Sequence, residues 1–417
     1  MSLTLDAPAL VPTAKLDRYV VMDVLRGFAL FGVMLVNLYE FGGKDVVITA
    51  EQLAALSSAA LNERLEFWLK LLVYDKANTL FAFLFGLGFW IQMERLEARG
   101  APFKAIYLRR AAILMILGWI HLLFLFNWDI LHIYGIAAFI LFFSRNLPDR
   151  SLLLIGIPLL LFSRPLVSWA FEIGGITGLF DNPEVAETRL LARQAAAQTG
   201  DFFTFIALMN KDYLIWFMGG GLLGWIAYAL GRFFMGAWVA RRGWIQNASD
   251  NLPLFRRWLW PLLIAGLLLE SAHLLTADLP ETMLFGQMEL MRTVLHVVAT
   301  PLIAGGYICA IVLLFHGRSI SWLVRPFAPV GQMALTNYLT QSVAIILILT
   351  SVGPGLGLAG KAGLSTFLPL VVAFFTAQIV FSLVWMKFFA YGPAEWLWRA
   401  LTYKTVPAMR RAKVAPA

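Results

Sequence analysis

The chain has 417 residues, of which 60% are hydrophobic and 14% charged, and its mean hydropathy is +0.75. Soluble domains carry roughly 25% charged residues, so this composition excludes a soluble globular protein and indicates a multispanning membrane protein. The single cysteine, Cys309, excludes a disulfide framework. No long polar stretch interrupts the apolar segments, which predicts one integral-membrane domain over residues 1–417.

Stretches near 20 apolar residues recur along the chain and predict an all-α transmembrane helix bundle. About ten spans are expected, at 19–41, 77–94, 110–127, 130–144, 152–171, 213–231, 258–277, 292–315, 333–352 and 366–390. The segments 51–74 and 201–212 have the composition of amphipathic or interfacial helices. The first apolar segment is too long for a signal-peptide core and is expected to remain as a span.

Basic residues concentrate in alternate loops, and this bias predicts the orientation of the chain. The loops 95–110 and 232–257 and the C-terminal tail are rich in arginine and lysine, whereas the loops near 45–66, 181–201 and 278–289 are acidic or neutral. Both termini, about 1–18 and 391–417, are therefore expected in the cytoplasm, with the loop of about 172–212 outside. The basic pI of 9.6 is explained by this bias and by attraction to anionic lipid headgroups, and nothing indicates a nucleic-acid partner.

Ionisable side chains occur within the predicted spans, where charge is costly and a functional site is the default interpretation. The run GWIHLLFLFNWDILHIYG at 118–135 contains three such groups near the outer half of the membrane, and the seventh and eighth spans place four more at a similar depth. These groups are His121, Asp129, His132, Glu270, His273, Arg292 and His296. They predict a substrate-binding cavity open to the outside. The alternative is that Glu270, His132, His273 and Arg292 simply lie at the interface.

Two polar pairs have both a structural and a functional interpretation. An aspartate beside a buried histidine fixes the tautomer and raises the basicity of the ring, as a general base requires, but a hydrogen bond that locks two spans together would use the same His121 and Asp129. Near the cytoplasmic end of the first span, Asp23 and Arg26 are spaced i, i+3. Arg26 is either a snorkelling partner of Asp23 or a guanidinium aimed at an incoming phosphate or carboxylate.

Five blocks of sequence resemble the YeiB family of bacterial inner-membrane proteins. They are RYVVMDVLRGFALFGVMLVN, DKANTLFAFLFGLGF, HLLFLFNWDILHIYG, VGQMALTNYLTQS and YGPAEWLWRALTY, and they extend over essentially the whole chain. The resemblance further implies a relation to membrane acyltransferases such as heparan-glucosaminide N-acetyltransferase. It implies transfer of an acyl group, expected to be acetyl, from cytoplasmic acetyl-CoA to a sugar, glycan or small-molecule acceptor outside the membrane. No metal is expected, and a homodimer is one possible assembly.

The resemblance also implies residue roles. By position, the family's histidine and aspartate correspond to His121 and Asp129, and its arginine–glycine pair to Arg26 and Gly27. The later blocks place Thr336, Asn337 and Gln341 within the bundle and Glu395, Trp396 and Arg399 at the cytoplasmic rim. Trp128 stands where the family pattern has a glycine, which would narrow the entrance for the acceptor.

Acyl transfer from a thioester needs a base or nucleophile, donors for an oxyanion, and a dock for the phosphates of CoA. We expect His121 and Asp129 to be catalytic, either in direct transfer or through an acyl-histidine. The acetyl-CoA ligands are expected to be Arg26, Asn37, Arg109, Arg110, Asn337, Gln341 and Arg399, and the acceptor ligands to be His132, His273, Arg292 and His296. The alternative functions are a transporter or channel for a small anionic metabolite and a structural partner in the cell envelope.

Overall fold

A computed structural model describes residues 19–100, 102–173, 183–280, 283 and 287–411. Within these ranges the regular structure is helical, and no β-strand is present. The first helices are α1 (Val20–Gly42), α2 (Ala50–Ala54), α3 (Ala59–Leu72), α4 (Lys76–Ala98), α5 (Phe103–Phe124), α6 (Leu131–Phe143), α7 (Asp149–Ile173) and α8 (Pro183–Thr199). The remaining helices are α9 (Phe202–Met218), α10 (Gly221–Arg241), α11 (Leu252–Leu275), α12 (Met288–His316), α13 (Phe327–Gln332), α14 (Ala334–Leu349), α15 (Leu364–Phe388) and α16 (Pro393–Tyr403).

The surface of this helical bundle is that of a membrane protein. Six helices in the described ranges, α1, α5, α10, α11, α12 and α15, are long and apolar enough to cross a bilayer, and α6 and α14 are shorter apolar helices. Large apolar side chains point outward along them, including Ile264, Leu268 and Phe381. Such a surface is stable in lipid and would aggregate in water. The predicted all-α transmembrane bundle is thereby confirmed.

One predicted span is wrong in its boundaries. The sequence predicted a single span at 213–231, but α9 ends at Met218 and α10 begins at Gly221. Gly220 separates the two helices with a φ of +86°, in the left-handed region that glycine adopts at little cost. The segment 201–212, considered above as an interfacial helix, is the first part of α9.

Small residues allow the central helices to approach each other closely. Gly86 of α4 lies against the backbone of Phe233 in α10, and Gly236 of α10 lies against the carbonyl of Phe83 in α4, so a side chain at either position would overlap the partner helix. Close backbone contact at glycine is a common means of association between membrane helices. It fixes α4 in the centre of the bundle, where one of its faces lines the cavities described below.

The C-terminal helix α16 is fastened to the bundle by Glu395. Its carboxylate accepts hydrogen bonds from the backbone N–H of Leu335 at 2.6 Å and from the N–H and hydroxyl of Thr336 at 3.1 and 2.6 Å. These donors are at the unsatisfied N-terminus of α14, so Glu395 caps that helix. Burial raises the pKa of Glu395 above its usual range, and the three hydrogen bonds oppose this rise.

Candidate functional site

Two connected cavities occupy one end of the bundle. The inner one, here called the acidic cavity, has a volume of about 210 Å³, and the larger one, the vestibule, has about 460 Å³. Trp128, Trp216 and Trp225 line both cavities, and the narrowing of an acceptor entrance by Trp128 stays a prediction. The wall of the acidic cavity carries the carboxylates of Glu40, Asp75 and Asp129 and the amides of Asn37 and Asn78.

Asp129 lines the acidic cavity, and both histidines of the run 118–135 contact it from behind the wall. Its Oδ1 atom lies 2.9 Å from His121 Nδ1, and its Oδ2 atom lies 2.9 Å from the backbone N and 3.0 Å from the ring Nδ1 of His132. The other ring nitrogen of His132 is 2.8 Å from the hydroxyl of Tyr213. Gly118 on α5 leaves room for this arrangement, because a side chain there would meet Asp129 and the backbone of His132.

His121 is the member of this cluster with an unused nitrogen. Since its Nδ1 atom faces an acceptor-only carboxylate, that nitrogen carries the proton and Nε2 carries the lone pair. Nε2 is buried and has no hydrogen-bond partner in the described part of the chain, and the ring packs near Phe126 and Tyr338. His121 itself does not line the acidic cavity, whereas Asp129 does. The pair therefore presents its carboxylate to a ligand and keeps the imidazole behind it.

Asp75, which also lines the acidic cavity, begins a chain of four ionisable groups that extends away from the cavity. Asp75 Oδ2 lies 3.0 Å from His296 Nε2, His296 Nδ1 lies 3.0 Å from Glu270 Oε1, and the same oxygen lies 2.5 Å from Lys76 Nζ. Lys76 and Glu270 are fully enclosed, with side chains 0% and 1% exposed. We name Asp75, His296, Glu270 and Lys76 the charge chain. Sequence reasoning missed Asp75 and Lys76, although an acid–base pair immediately before an apolar span was a usable signal.

His273 and Arg292 lie beside the charge chain but away from the cavity. Arg292 donates to the carbonyl of Thr276 at 2.9 and 2.5 Å and to that of Leu279 at 2.5 Å, so it satisfies the C-terminal end of α11. His273 Nδ1 lies 3.0 Å from the carbonyl of Arg292, to which it donates. The structure therefore gives these two residues contacts that hold α11 and α12 together.

A second region of charge opens at the other end of the bundle. This arginine cavity has a volume of about 350 Å³ and is lined by five arginines, which are Arg26, Arg95, Arg99, Arg110 and Arg399. Arg26 pairs with Asp23 at 3.0 Å, and the guanidinium groups of Arg110 and Arg399 lie over the rings of Trp398 and Tyr391. The predicted group Arg26, Arg110 and Arg399 is thus brought together, and Arg95 and Arg99 join it.

Four other predicted acetyl-CoA ligands lie outside the arginine cavity. Arg109 donates to the carbonyl of Thr402 at 2.7 Å and so fastens α16. Asn337 donates to the carbonyl of Val330 and to Ser382, and Gln341 donates to Gln378, so both join helices inside the bundle. Asn37 lies on the wall of the acidic cavity instead. The resemblance placed Asn337 and Gln341 within the bundle, where they lie, but there they hydrogen-bond to neighbouring helices and do not line the arginine cavity.

One face of α4 leads from the acidic cavity to the arginine cavity. Asn78 lines the former and Gly88 and Gln92 line the latter, and Phe81 and Phe85 occupy the positions between them at helical spacing. The ring centroid of Phe85 is 5.4 Å from that of Tyr134 and 4.8 Å from that of Phe233. The ten residue steps from Asn78 to Gly88 correspond to about 15 Å of helix. An aromatic layer therefore separates the two cavities in this conformation.

The fold and these cavities define a polytopic helical membrane protein with an acidic pocket at one end and a basic pocket at the other. Residues 239–405 match the model of DUF418, a protein family of unknown function. The chain is 29% identical to the uncharacterized protein YxaH of Bacillus subtilis, over 97% of this chain and 100% of the relative. It is also 29% identical to the uncharacterized protein YeiB of Escherichia coli, over 95% and 99% of the two chains. The resemblance to YeiB-like proteins is therefore confirmed over nearly the whole chain.

Proposed function

We propose that this protein is a membrane-embedded acyltransferase that moves an acyl group, with acetyl as the expected group, from cytoplasmic acyl-CoA to an acceptor on the other side of a bacterial inner membrane. The observation that carries the proposal is the pair of cavities on one face of α4. One cavity collects arginines and the other collects carboxylates backed by histidines. A reaction that joins an anionic donor to an acceptor across a membrane needs these two environments at opposite ends of one passage.

The arginine cavity suits the nucleotide end of the donor. CoA carries phosphate groups, and guanidinium groups bind phosphate through paired, charge-assisted hydrogen bonds. Five arginines converge on one space of about 350 Å³. Tyr19, Tyr391 and Tyr403 also line it and offer aromatic faces for a base. The acyl-bearing arm would then follow α4 toward the acidic cavity, which requires Phe81 and Phe85 to move aside.

The acidic cavity suits a neutral or cationic acceptor. Among its described lining residues there are three carboxylates and no lysine or arginine, so an anionic ligand would find no counter-charge on the wall itself. The tryptophan and tyrosine rings of the same wall would bind the apolar face of a sugar or an amine. An acceptor hydroxyl or amine would give its proton to Asp129, which His121 and His132 hold in position with their hydrogen bonds.

The second candidate is a transporter, and the aromatic layer favours it. A site closed at its middle, with a cavity at each end, is also the architecture of alternating access. The two functions differ in their products. An acyltransferase converts acetyl-CoA into free CoA and an acylated acceptor, whereas a transporter returns its substrate unchanged.

The experiment uses the full-length protein in lipid nanodiscs with radiolabelled acetyl-CoA and a mixture of amino sugars, glycans and amines. We expect free CoA and a labelled product, and we expect Arg26→Gln to weaken acetyl-CoA binding roughly tenfold to hundredfold through loss of a charge-assisted contact. Lys104→Gln is the matched control, because Lys104 is an exposed cation that does not line the arginine cavity. Equal binding by both variants, without CoA release by the wild type, would refute the acyltransferase.

A further inference from the structure

The hydrogen-bond geometry of the charge chain determines how many protons it holds. Both ring nitrogens of His296 face carboxylate oxygens, with Nε2 3.0 Å from Asp75 and Nδ1 3.0 and 3.1 Å from the two oxygens of Glu270. An ionised carboxylate only accepts hydrogen bonds, and a neutral imidazole has only one N–H to donate. Both contacts can therefore be hydrogen bonds only if the three groups together hold one extra proton. The reference state is a neutral imidazole with both carboxylates ionised.

We propose that Asp75, His296 and Glu270 form a proton-holding site that delivers this proton to the ligand in the acidic cavity. Asp75 is the exit because it lines the cavity, while Glu270 is fully enclosed. Lys76 lies at the far end of the chain, where its Nζ atom donates hydrogen bonds to Glu270 and, at 2.7 Å, to the carbonyl of Lys70. With the proton in place, Lys76 and His296 balance Asp75 and Glu270, so the enclosed chain is electrically neutral.

The groups around His296 support this charge state. It contacts Asp75, which immediately precedes α4, and on α11 it contacts Glu270, which also binds Lys76, and the ring of His273, whose centroid lies 5.1 Å from its own. On its own helix, Arg292 is engaged by the carbonyls of Thr276 and Leu279. Two carboxylates in direct contact outweigh the more distant cations, so the imidazolium is the stable form.

The other carboxylate with histidine partners has complementary chemistry. Asp129 lines the cavity and is hydrogen-bonded by His121 and His132, and the second nitrogen of His132 contacts Tyr213. The acidic cavity thus carries one carboxylate, Asp129, that can take a proton and another, Asp75, that can give one. Catalytic groups whose environments differ in this way are the usual arrangement for combined acid and base catalysis.

This step rests on the proposed function, in which a thiolate leaves the thioester. The acceptor atom forms a bond to the acyl carbon and its proton passes to Asp129. The C–S bond breaks with its electron pair on sulfur, the imidazolium proton of His296 passes to Asp75, and Asp75 passes a proton on to that sulfur, which leaves His296 neutral and Asp75 ionised. Asp129 then loses its proton to solvent and the Asp75 wall regains one, so that protons balance over the cycle.

The first test needs neither acetyl-CoA nor an acceptor. The chain has five histidines, so solid-state NMR of protein labelled with ¹⁵N-histidine gives a countable spectrum, and the signals that vanish in His296→Gln belong to His296. We expect both ring nitrogens of His296 to carry a proton at neutral pH. In Asp75→Asn we expect only one of the two nitrogens to be protonated. His316, which donates to the carbonyl of Val312 at the far end of α12, is the internal control. A neutral His296 beside two ionised carboxylates in the wild type would overturn the proposal.

The second test separates proton delivery from a structural role. Asn tolerates the left-handed backbone that Asp75 adopts at a φ of +60°, so Asp75→Asn is expected to fold. It should slow transfer from acetyl-CoA about 10²- to 10⁴-fold and slow transfer from the acetyl thioester of an acidic aromatic thiol much less, because that thiolate leaves without a proton. Equal losses with both donors would refute proton delivery. Absence of turnover in the wild type, with the expected NMR spectrum, would instead refute the acyltransferase alone.

Discussion

The contact between Lys76 and Glu270 gives the sharpest prediction about stability. Its two side chains are 0% and 1% exposed and their charged atoms lie 2.5 Å apart. We consider three variants: Lys76→Met, Glu270→Gln and the double variant. Methionine and glutamine keep the approximate length of the side chains they replace, so the variants change charge more than volume.

The magnitudes follow from the contacts that each variant leaves. In Lys76→Met, Glu270 keeps only His296 among the described residues, and breaking a buried ion pair on one side costs about 3 to 5 kcal/mol in the free energy of unfolding. In Glu270→Gln, the ammonium of Lys76 retains the carbonyl of Lys70 and the amide oxygen of the new glutamine, so the loss should lie at the lower end of that range. In the double variant no unpaired charge remains between these positions, and the loss should fall to about 1 kcal/mol. The sum of the two single losses is therefore expected to exceed the loss in the double variant by about 5 kcal/mol or more.

The measurement is denaturation of the purified protein in mixed micelles, followed by tryptophan fluorescence and by size-exclusion chromatography. The exposed Glu289, at the start of α12, provides the control variant Glu289→Gln, which should change stability by less than about 0.5 kcal/mol. Losses in the double variant equal to the sum of the single losses would show that the two charges do not stabilise each other. The assignment of the charge chain as one coupled unit would then be wrong.

Three further predictions concern the backbone, the passage and the orientation. Gly220→Ala should destabilise the protein by about 1 to 2 kcal/mol in the same denaturation assay, because Gly220 has a left-handed φ of +86°. Gly219→Ala, at a φ of −72°, should have little effect on stability. Equal effects of the two variants would contradict the assigned break between α9 and α10. The passage is tested by Asn78→Cys and Gln92→Cys, each in a chain whose buried Cys309 is replaced by Ala. The new thiol of Asn78→Cys should react with a membrane-impermeant reagent from one side of a proteoliposome, and that of Gln92→Cys from the other side. Reaction of both from the same side would refute the closed aromatic layer. A periplasm-active reporter should be silent when fused after residue 245 and active after residue 190, and the reverse result would invert the predicted sides of the membrane.

The sequence by itself determined the class of the protein and the position of most of its helices. Burying the backbone in lipid requires long apolar helices, so composition alone reveals them, and the predicted span at 130–144 corresponds to α6 within one residue at each end. The pairing of His121 with Asp129 was also predictable, because only eight positions and one tight turn separate them. The break at Gly220 was missed because apolar composition continues through the three glycines, and hydropathy does not record a left-handed backbone.

Only the tertiary structure decided which ionisable groups share a site. Lys76 and Glu270 are 194 positions apart, and Asp75 and His296 are 221 apart, so no local pattern relates them. Arg292 had the same composition signal as His296, but the turn that follows α11 brings two carbonyls to its guanidinium and makes it a cap. The local sequence shows that a charge will be buried in an apolar segment, at a cost in free energy. The packing of distant helices determines which group pairs with that charge and offsets the cost. For this reason the sequence indicated a polar site in the membrane, and only the fold divided it into the acidic cavity with Asp129, the charge chain and the arginine cavity.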